Sequence, residues 1–283
     1  MLPDRPEPPL GRRSLPVVEA REDGAFKLLT LLDDEGPEPA PGQFYMVTRA
    51  PDWGGGLGRP YLPRALSFAS TTDHGGGVAI EFLLDEVGPG TRELAGLVPG
   101  DECWVSGPFG RPFSKASDLA EGAAGAVLVG GGIGIAPLAP LRRSLIARGV
   151  PTRVLLGFRE PAAAGGVDRL FGCEEVRVAY EAGAGSPARV TDLLAVVLAG
   201  DDAGRSAVYS CGPPGMLEAV RQMCAERGVA VELALESPMA CGYGACFGCA
   251  VPRRDGGYLR LCIEGPVVRG DEIGSAEAGE ARS

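Results

Sequence analysis

Residues 126–149 read AVLVGGGIGIAPLAPLRRSLIARG, an apolar run followed by closely spaced glycines and an amphipathic stretch that ends at Gly149. This order predicts a buried strand, a glycine turn and a helix. Strand-like and helix-like segments go on alternating from there to residue 235, which predicts a doubly wound parallel sheet. We therefore assign residues 121–235 to an α/β domain.

The glycine turn of this unit is a candidate nucleotide site. Glycine allows the backbone to approach a pyrophosphate, and the N–H groups and dipole at the start of the next helix favour its negative charge. Gly132 and Gly134 form a GxGxxP pattern with Pro137 rather than GxGxxG. A tight turn with a purely structural role is the alternative.

A second turn, CGPP, starts at Cys211 and follows another predicted buried strand. Ligand crevices form at the carboxyl edge of a parallel sheet, which makes Cys211 a candidate ligand contact. The alternative is that Cys211 is a small buried residue of the core.

The chain before residue 121 has a different pattern. Short runs of apolar and β-branched residues, separated by Gly, Pro and Asp, extend from residue 15 to about residue 113. They predict a small antiparallel barrel or sandwich over residues 15–120, with one short helix at 91–97. Residues 1–14 are rich in Pro and Arg and aperiodic, and we expect a flexible lead there.

Two short motifs in this first domain are candidate phosphate sites. In the strand-like RALS, Arg64 and Leu66 share one face and Ser67 points to the other. A guanidinium and a hydroxyl this close can hold a phosphate and the polar edge of a heterocycle. Gly90 and Thr91 precede the short helix and form a second candidate, for which an ordinary helix cap is the alternative.

Composition excludes several classes of protein. The net charge of −10 and the absence of a basic stretch argue against a nucleic-acid partner. No apolar run has the length of a signal peptide or a membrane span, so we expect a cytoplasmic protein that contacts no membrane. The single histidine, His74, rules out a Cys2His2 finger and a two-His Rieske centre, and its Gly-rich surroundings indicate a solvated turn.

Four cysteines follow near the C-terminal end in the order Cys241-x4-Cys246-x2-Cys249-x12-Cys262. This is the C-x4-C-x2-C…C order of plant-type [2Fe–2S] ligation. A zinc ribbon would show two separated CxxC pairs, and disulfides are rare where thiols stay reduced. The spacing therefore favours a [2Fe–2S] cluster over zinc or disulfides. We assign residues 236–283 to this cluster segment, with a frayed tail from residue 269, and assign no function to Cys103, Cys173 and Cys224.

The order of the motifs resembles that of the ferredoxin reductase superfamily of flavoproteins over roughly residues 15–268. The resemblance rests on RALS, GT at 90–91, GPFG at 107–110, GGGIGIAP, CGP and the cysteine loop. It implies an FAD-binding β-barrel followed by a nicotinamide nucleotide-binding α/β domain. The short C-terminal segment, MACGYGACFGC with a distal CIEGPVV, is similar to the electron-transfer subunit family of the two-subunit, NAD-linked dihydroorotate dehydrogenases. The segment before RALS, residues 50–63, is longer than is usual there.

The resemblance also implies roles for the candidate residues of the barrel. Arg64 would contact the FAD pyrophosphate, and Gly90 and Thr91 would hold the phosphates. Leu66 and Ser67 would line the isoalloxazine ring.

In the α/β domain, Gly132 and Gly134 would bind the nicotinamide dinucleotide and Cys211 would approach its ring. Ser67 and Cys211 are then the catalytic candidates. The cluster ligands would be Cys241, Cys246, Cys249 and Cys262. Arg159 can bind a 2′-phosphate and Glu160 can repel one, so the sequence does not decide between NAD and NADP, and only the resemblance favours NAD.

A hydride carries two electrons and a [2Fe–2S] cluster accepts one, so a flavin is needed between them. The chain offers no acid–base constellation for a carbon substrate. We therefore expect an electron-transfer subunit whose organic substrate is oxidised on another polypeptide. The resemblance implies that this partner is an FMN-containing catalytic subunit that oxidises dihydroorotate in pyrimidine biosynthesis. Electrons would pass through the cluster and FAD to NAD⁺, in a heterotetramer with two copies of each subunit.

Two alternatives remain at this point. The same cofactors suit a subunit of a ferredoxin–NADP transhydrogenase, sulfide dehydrogenase, sulfite reductase or hydrogenase. A zinc-stapled binding module without enzymatic activity is the second.

Overall fold

The computed structural model describes residues 11–50, 62–172, 175–183, 187–200 and 203–279. Most of the expected lead, nearly all of the long segment at 50–63, and Cys173 lie outside these residues. Within them, no helix is both long and apolar enough to cross a membrane. His74 is exposed in the turn after β4, as the sequence predicts.

Six antiparallel strands close into a barrel in the order β1-β2-β5-β4-β3-β6. Their bounds are β1 Arg13–Asp23, β2 Phe26–Asp33, β3 Phe44–Ala50, β4 Arg64–Asp73, β5 Val78–Leu84 and β6 Glu102–Phe109. Alternate residues of β1, among them Leu15 and Val17, point into the barrel core, which explains its alternating pattern of burial. The short helix α1 spans Pro89–Ala95, beginning two residues before the predicted position.

The barrel begins earlier than the sequence predicts. Arg13 belongs to β1, and its guanidinium pairs with the carboxylate of Asp33 at 2.6 Å while donating to the carbonyl of Gly107 at 2.9 Å. Both side chains are buried, so this end of the expected flexible lead is a fixed strand. The sequence missed this because Arg and Pro at the start of a chain favour a loop unless a buried carboxylate is present.

The second part of the chain forms a six-stranded sheet in the order β14-β11-β10-β7-β8-β9. Its parallel strands are β7 Gly125–Gly131, β8 Thr152–Phe158, β9 Val176–Tyr180, β10 Ser206–Cys211 and β11 Val231–Ala234. The helices are α2 Ala116–Leu119, α3 Leu138–Ala147, α4 Val167–Phe171, α5 Val190–Leu198 and α6 Pro214–Glu226. The barrel followed by this helix-covered sheet confirms the predicted fold class.

The C-terminal segment is bound into the sheet. It contains the hairpin of β12 (Ala250–Pro252) and β13 (Tyr258–Arg260) and the strand β14 (Val267–Arg269). β14 pairs antiparallel with β11 and forms one edge of the sheet.

The expected frayed tail from residue 269 is wrong for the part that the structure describes. Ile273 and Ala276 are buried, and the N–H of Ala276 donates to the Glu218 carboxylate of α6 at 2.7 Å. A 3-10 turn then spans Ala276–Gly279. The small and charged residues of this segment suggested solvent, but burial of one isoleucine and one alanine against α6 holds it in place.

Candidate functional site

A cavity of about 260 Å³ lies between the barrel and the carboxyl edge of the sheet. It brings together four residues that the sequence selected from three separate motifs: Leu66, Ser67, Gly134 and Cys211. Most of the remaining wall is apolar. This is the place where open α/β sheets bind their ligands.

Glu236 also lines this cavity, and the sequence did not single it out. It follows β11 by two residues, so the same sheet edge that carries Cys211 carries its carboxyl group. Glu236 keeps an exposed surface in the cavity wall, yet burial among the surrounding groups raises its pKa. The sequence signal that could have identified Glu236 as a site residue is its position just after a buried strand, next to the strand that ends at the CGPP turn.

Cys211 is a buried thiol rather than a thiolate. It is 5% exposed at the end of β10. Burial raises its pKa well above the ordinary 9.0, and the nearby Glu236 carboxyl raises it further. Cys211 can therefore contact a ring as a neutral group, and general-base or nucleophilic chemistry by its sulfur is unfavourable at neutral pH.

The two glycines of the GxGxxP turn are required for different physical reasons. Gly132 has a φ of +53°, which a side chain rarely adopts. A Cβ on Gly134 would lie 2.6 Å from the carbonyl carbon and oxygen of Cys211. A 3-10 turn spans Gly132–Ile135, and α3 begins only at Leu138, so the turn and the helix are separate elements. Only Gly134 of this pair lines the cavity.

In the barrel, Arg64 and Gly90 are in contact although they are far apart in sequence. A Cβ on Gly90 would overlap the guanidinium of Arg64. Thr91 is used locally, since its hydroxyl exchanges hydrogen bonds of 3.1 Å with the N–H and the carbonyl of Gly88. Arg64 thus packs against the backbone of Gly90 in the first turn of α1, while the Thr91 side chain acts as the helix cap that was the alternative prediction.

The four clustered cysteines form two pairs. The sulfur atoms of Cys249 and Cys262 are 3.2 Å apart, and the side chains of Cys241 and Cys246 hydrogen-bond to each other. Within the described residues, no three His, Cys, Asp or Glu side chains meet at one metal position. A [2Fe–2S] cluster has two irons, each held by two cysteines, so two pairs of thiols fit its ligand arrangement, whereas a tetrahedral zinc ion needs all four sulfurs round one point.

Backbone N–H groups surround these sulfurs. Gly244 donates to Cys262 at 3.1 Å, and longer bonds of 3.5 Å run from Gly248 to Cys246 and from Cys262 to Cys249. Gly244 has a φ of +83° and is packed so closely that its Cβ would overlap the side chain of Ile263. The glycines of the loop therefore allow it to turn its N–H groups toward sulfur.

These contacts favour the thiolate form at Cys241 and Cys249, whereas the hydrogen bond with Cys249 and burial raise the pKa of Cys262. Burial raises the pKa of Cys241, but hydrogen bonds from the backbone of Cys246, Tyr243 and Ala245 outweigh it and lower the pKa to about 7. The hydrogen bond with Cys262 is the largest effect on Cys249, and with backbone donors it lowers the pKa to about 6. The donor set thus fits an iron–sulfur cluster.

The cluster loop packs on the outside of the same wall that lines the cavity. A Cβ on Gly242 would lie 2.6 Å from Cγ of Met46 and 3.3 Å from the ring of Phe109. Phe109 is 5.9 Å from Phe44, centroid to centroid, and Phe44 lines the cavity. Apolar side chains, Phe109 and Phe44 among them, therefore lie between the cysteine loop and the cavity.

The barrel, the sheet with its edge cavity and the paired cysteines define a ferredoxin-reductase-like electron-transfer protein. A solved structure titled "Insights into flavin-based electron bifurcation via the NADH-dependent reduced ferredoxin-NADP oxidoreductase structure" matches 95% of this chain and 92% of its own, at a TM-score of 0.78 and 26% identity. A structure titled "Ferredoxin reductase in carbazole 1,9a-dioxygenase" matches 79% of this chain and 67% of its own, at a TM-score of 0.62 and 22% identity, and shows the fold alone.

Residues 236–274 match the family model of the iron–sulfur cluster binding domain of dihydroorotate dehydrogenase B. The dihydroorotate dehydrogenase B (NAD(+)) electron transfer subunit of Geobacillus thermodenitrificans is 38% identical over 273 residues, which cover 93% of this chain and 99% of the relative. The protein of Methanopyrus kandleri with the same description, marked probable, is 34% identical over 94% of this chain and 93% of its own.

The chain therefore belongs to the family of dihydroorotate dehydrogenase B electron transfer subunits, and the resemblance drawn from its motifs is confirmed. It is an oxidoreductase subunit with an iron–sulfur cluster-binding segment. The expected cofactors, FAD, a [2Fe–2S] cluster and NAD, are confirmed by this membership and fold.

Proposed function

We propose that this chain carries electrons between the FMN of a dihydroorotate dehydrogenase catalytic subunit and NAD⁺, through a [2Fe–2S] cluster and FAD, in cytoplasmic pyrimidine biosynthesis. One observation carries the proposal: the loop of Cys241, Cys246 and Cys249 packs, through Phe109 and Phe44, on the wall of the cavity that contains Ser67 and Cys211. FAD supplies the conversion between a two-electron hydride and single electrons.

The residues of the barrel divide the binding of FAD between them. Arg64 and the backbone at Gly90 bind its phosphates, because the guanidinium supplies positive charge at the first turn of α1, where the lack of a side chain at Gly90 lets it pack. Thr91 holds the turn in shape through Gly88. Leu66 and Ser67 lie against the flavin ring in the cavity.

The nicotinamide nucleotide binds on the sheet side of the same cavity. Gly132 and Gly134 shape the turn, Gly134 by allowing the backbone to lie against Cys211. Cys211 would contact the nicotinamide ring as a neutral thiol, and Glu236 would supply a carboxyl group in the same cavity. These residues orient the ring and exclude water.

The exposed surface of the cluster segment binds the catalytic subunit, in a heterotetramer with two copies of each chain. Three aromatic side chains on the cluster segment are largely exposed: Tyr243 at 59%, Phe247 at 60% and Tyr258 at 70%. Exposed aromatic residues are typical of a protein–protein interface. The relatives' description as an electron transfer subunit supports a catalytic partner of this kind.

Anaerobic reduction of the purified chain tests the electron route. NADH should bleach the flavin and cluster bands at a higher kcat/KM than NADPH. Addition of the FMN-containing partner and dihydroorotate should then reduce NAD⁺. Cys246→Ser should abolish the cluster bands, while Cys224→Ser, at a buried position in α6, should keep them. A colourless protein with stoichiometric zinc would contradict the proposal.

The similarity to a ferredoxin–NADP oxidoreductase structure favours one other candidate, a subunit of a ferredoxin–NADP transhydrogenase. The two functions differ in the partner. A co-purifying chain with FMN and dihydroorotate-dependent reduction of NAD⁺ supports the first. A partner with several iron–sulfur motifs, together with a preference for NADPH, supports the second.

A further inference from the structure

Arg260 lies beside the second cysteine pair. It is the last residue of β13 and pairs with Ala250, which directly follows Cys249. The N–H of Leu261 donates to the carbonyl of Cys249 at 3.1 Å, and Cys262 follows. The β12–β13 hairpin thus fixes the backbone of Arg260 next to both cysteines of this pair.

The guanidinium of Arg260 is held at three points. Nη2 and Nε donate to the two carboxylate oxygens of Glu264 at 2.8 and 3.3 Å, and Nη1 donates to the carbonyl of Gly244 at 3.2 Å. The side chains of Arg260 and Glu264 are only 17% and 23% exposed. A two-pronged arginine–carboxylate contact fixes direction as well as distance, so the cation stays on the cysteine loop.

The carbonyl that Arg260 contacts belongs to a peptide group whose other end faces sulfur. The N–H of that peptide, on Ala245, donates to Cys241. The N–H of Gly244 itself donates to Cys262 at 3.1 Å. A cation on the carbonyl polarises the peptide and strengthens the hydrogen bond from its N–H. Arg260 therefore acts on both cysteine pairs, on one through the peptide and on the other by proximity.

We propose that Arg260, oriented by Glu264, is a positioning residue that raises the reduction potential of the cluster bound by the four cysteines. The proposal rests on the proposed function in that the chain must carry this cluster. Reduction adds one negative charge, and a fixed cation and N–H donors stabilise that charge. Glu264 opposes the effect, since its charge lies behind the guanidinium. The reduction potential of the cluster therefore depends on the difference between the effects of the Arg260 and Glu264 charges.

The test is a dye-equilibrated redox titration of the cluster-loaded chain, followed by the electron paramagnetic resonance signal of the reduced cluster. Arg260→Gln should lower the equilibrium constant for reduction about tenfold, which is ~59 mV for one electron. Glu264→Gln should shift the potential upward, because the arginine then remains unopposed. Arg253→Gln is the matched control: it removes an exposed arginine from the connection of the same hairpin, just after β12, and should leave the potential unchanged.

Opposite shifts of the reduction potential in the two variants support the proposal. If the pair had only a structural role, the potential would shift in the same direction in both variants. Equal potentials in wild type and Arg260→Gln contradict it, as does loss of the cluster in both variants. If Arg260→Gln alone fails to bind the cluster, the Glu264→Gln variant tests the proposal: an upward shift of its reduction potential supports it, and a downward shift contradicts it. A wild-type chain that never shows a [2Fe–2S] signal overturns the proposed function instead.

Discussion

The carboxylate of Glu232 accepts two hydrogen bonds from Ser114, from its N–H at 2.9 Å and from its hydroxyl at 2.5 Å. Ser114 lies in the connection between the barrel and the sheet, and Glu232 is 4% exposed in β11. The hydroxyl of Tyr209 in β10 donates to the Ser114 carbonyl at 3.0 Å. The connection is thereby fixed to the two strands whose carboxyl ends lead to Cys211 and Glu236.

Two substitutions at Glu232 should distinguish the contribution of its hydrogen bonds to stability from the contribution of its charge. Burial raises the pKa of Glu232, and the bonds from Ser114 offset this only in part. Glu232→Ala leaves the two part-buried donors of Ser114 without this acceptor and should lower the free energy of unfolding by about 1–3 kcal/mol. Glu232→Gln keeps an acceptor and should cost less than ~1 kcal/mol. Denaturant unfolding of the holoprotein at neutral pH measures both, and equal losses would contradict the assignment.

Glu232 should also contribute to the pH dependence of stability. Its folded-state pKa lies above the ordinary 4.5, so the folded protein holds this proton more tightly than the unfolded chain. Its contribution is complete below pH 4.5 and is lost as pH rises through the folded-state pKa. As pH rises from 4.5 through the folded-state pKa, wild type should therefore lose stability relative to Glu232→Gln. Unfolding curves at several pH values that stay parallel for the two proteins would show that Glu232 does not titrate there.

Arg169 should hold the two halves of the molecule together. From α4 it pairs with Asp23 and Glu81 of the barrel, each at 2.6 Å. Arg169→Ala leaves both carboxylates, 15% and 14% exposed, without their cation and should cost about 1.5–3 kcal/mol. The exposed pair of Arg21 and Glu19 provides the control, because Arg21→Ala should cost at most ~1 kcal/mol. Equal costs in denaturant unfolding would mean that the interface does not depend on this triad.

Local patterns were enough to predict much of the fold and part of the site. A buried strand, a glycine turn and a helix repeat in order, so the sequence alone places Gly134 and Cys211 at one edge of the sheet. The cysteine spacing likewise predicted a cluster loop, because a loop binding one cluster needs its ligands near in sequence.

Contacts between distant segments could not be predicted in this way. Glu236 becomes a site residue because β11 lies beside β10, and Arg13 is held in β1 by pairing with Val105 of β6 and by the buried carboxylate of Asp33. β14 has three residues, too few for a periodic signal, and is recognisable only by its pairing with β11. In each case the deciding partner is remote in sequence.

Gly134→Ala should weaken the reaction with NADH while leaving FAD and the cluster bound. The new Cβ would lie 2.6 Å from the backbone of Cys211, which cannot shift without moving β10. We expect a loss of at least about tenfold in kcat/KM for NADH, with FAD and cluster absorption unchanged. Gly200→Ala is the control, since its Cβ would meet only the Val197 carbonyl at 3.4 Å. Normal NADH kinetics in Gly134→Ala would argue that the ligand does not bind against this turn.

Cys211→Ala should slow hydride transfer without changing its pH profile. The thiol is buried, and its pKa lies well above the ordinary 9.0, so it stays protonated between about pH 6 and 9 in the folded protein. Its contribution is then contact with the nicotinamide ring, and its loss should lower the stopped-flow rate of flavin reduction by NADH about tenfold through poorer orientation. Cys224→Ala, at a buried thiol in α6, should leave the rate unchanged. If Cys211→Ala instead removes one limb of the pH profile, the sulfur takes part in proton transfer and its role as a neutral contact is wrong.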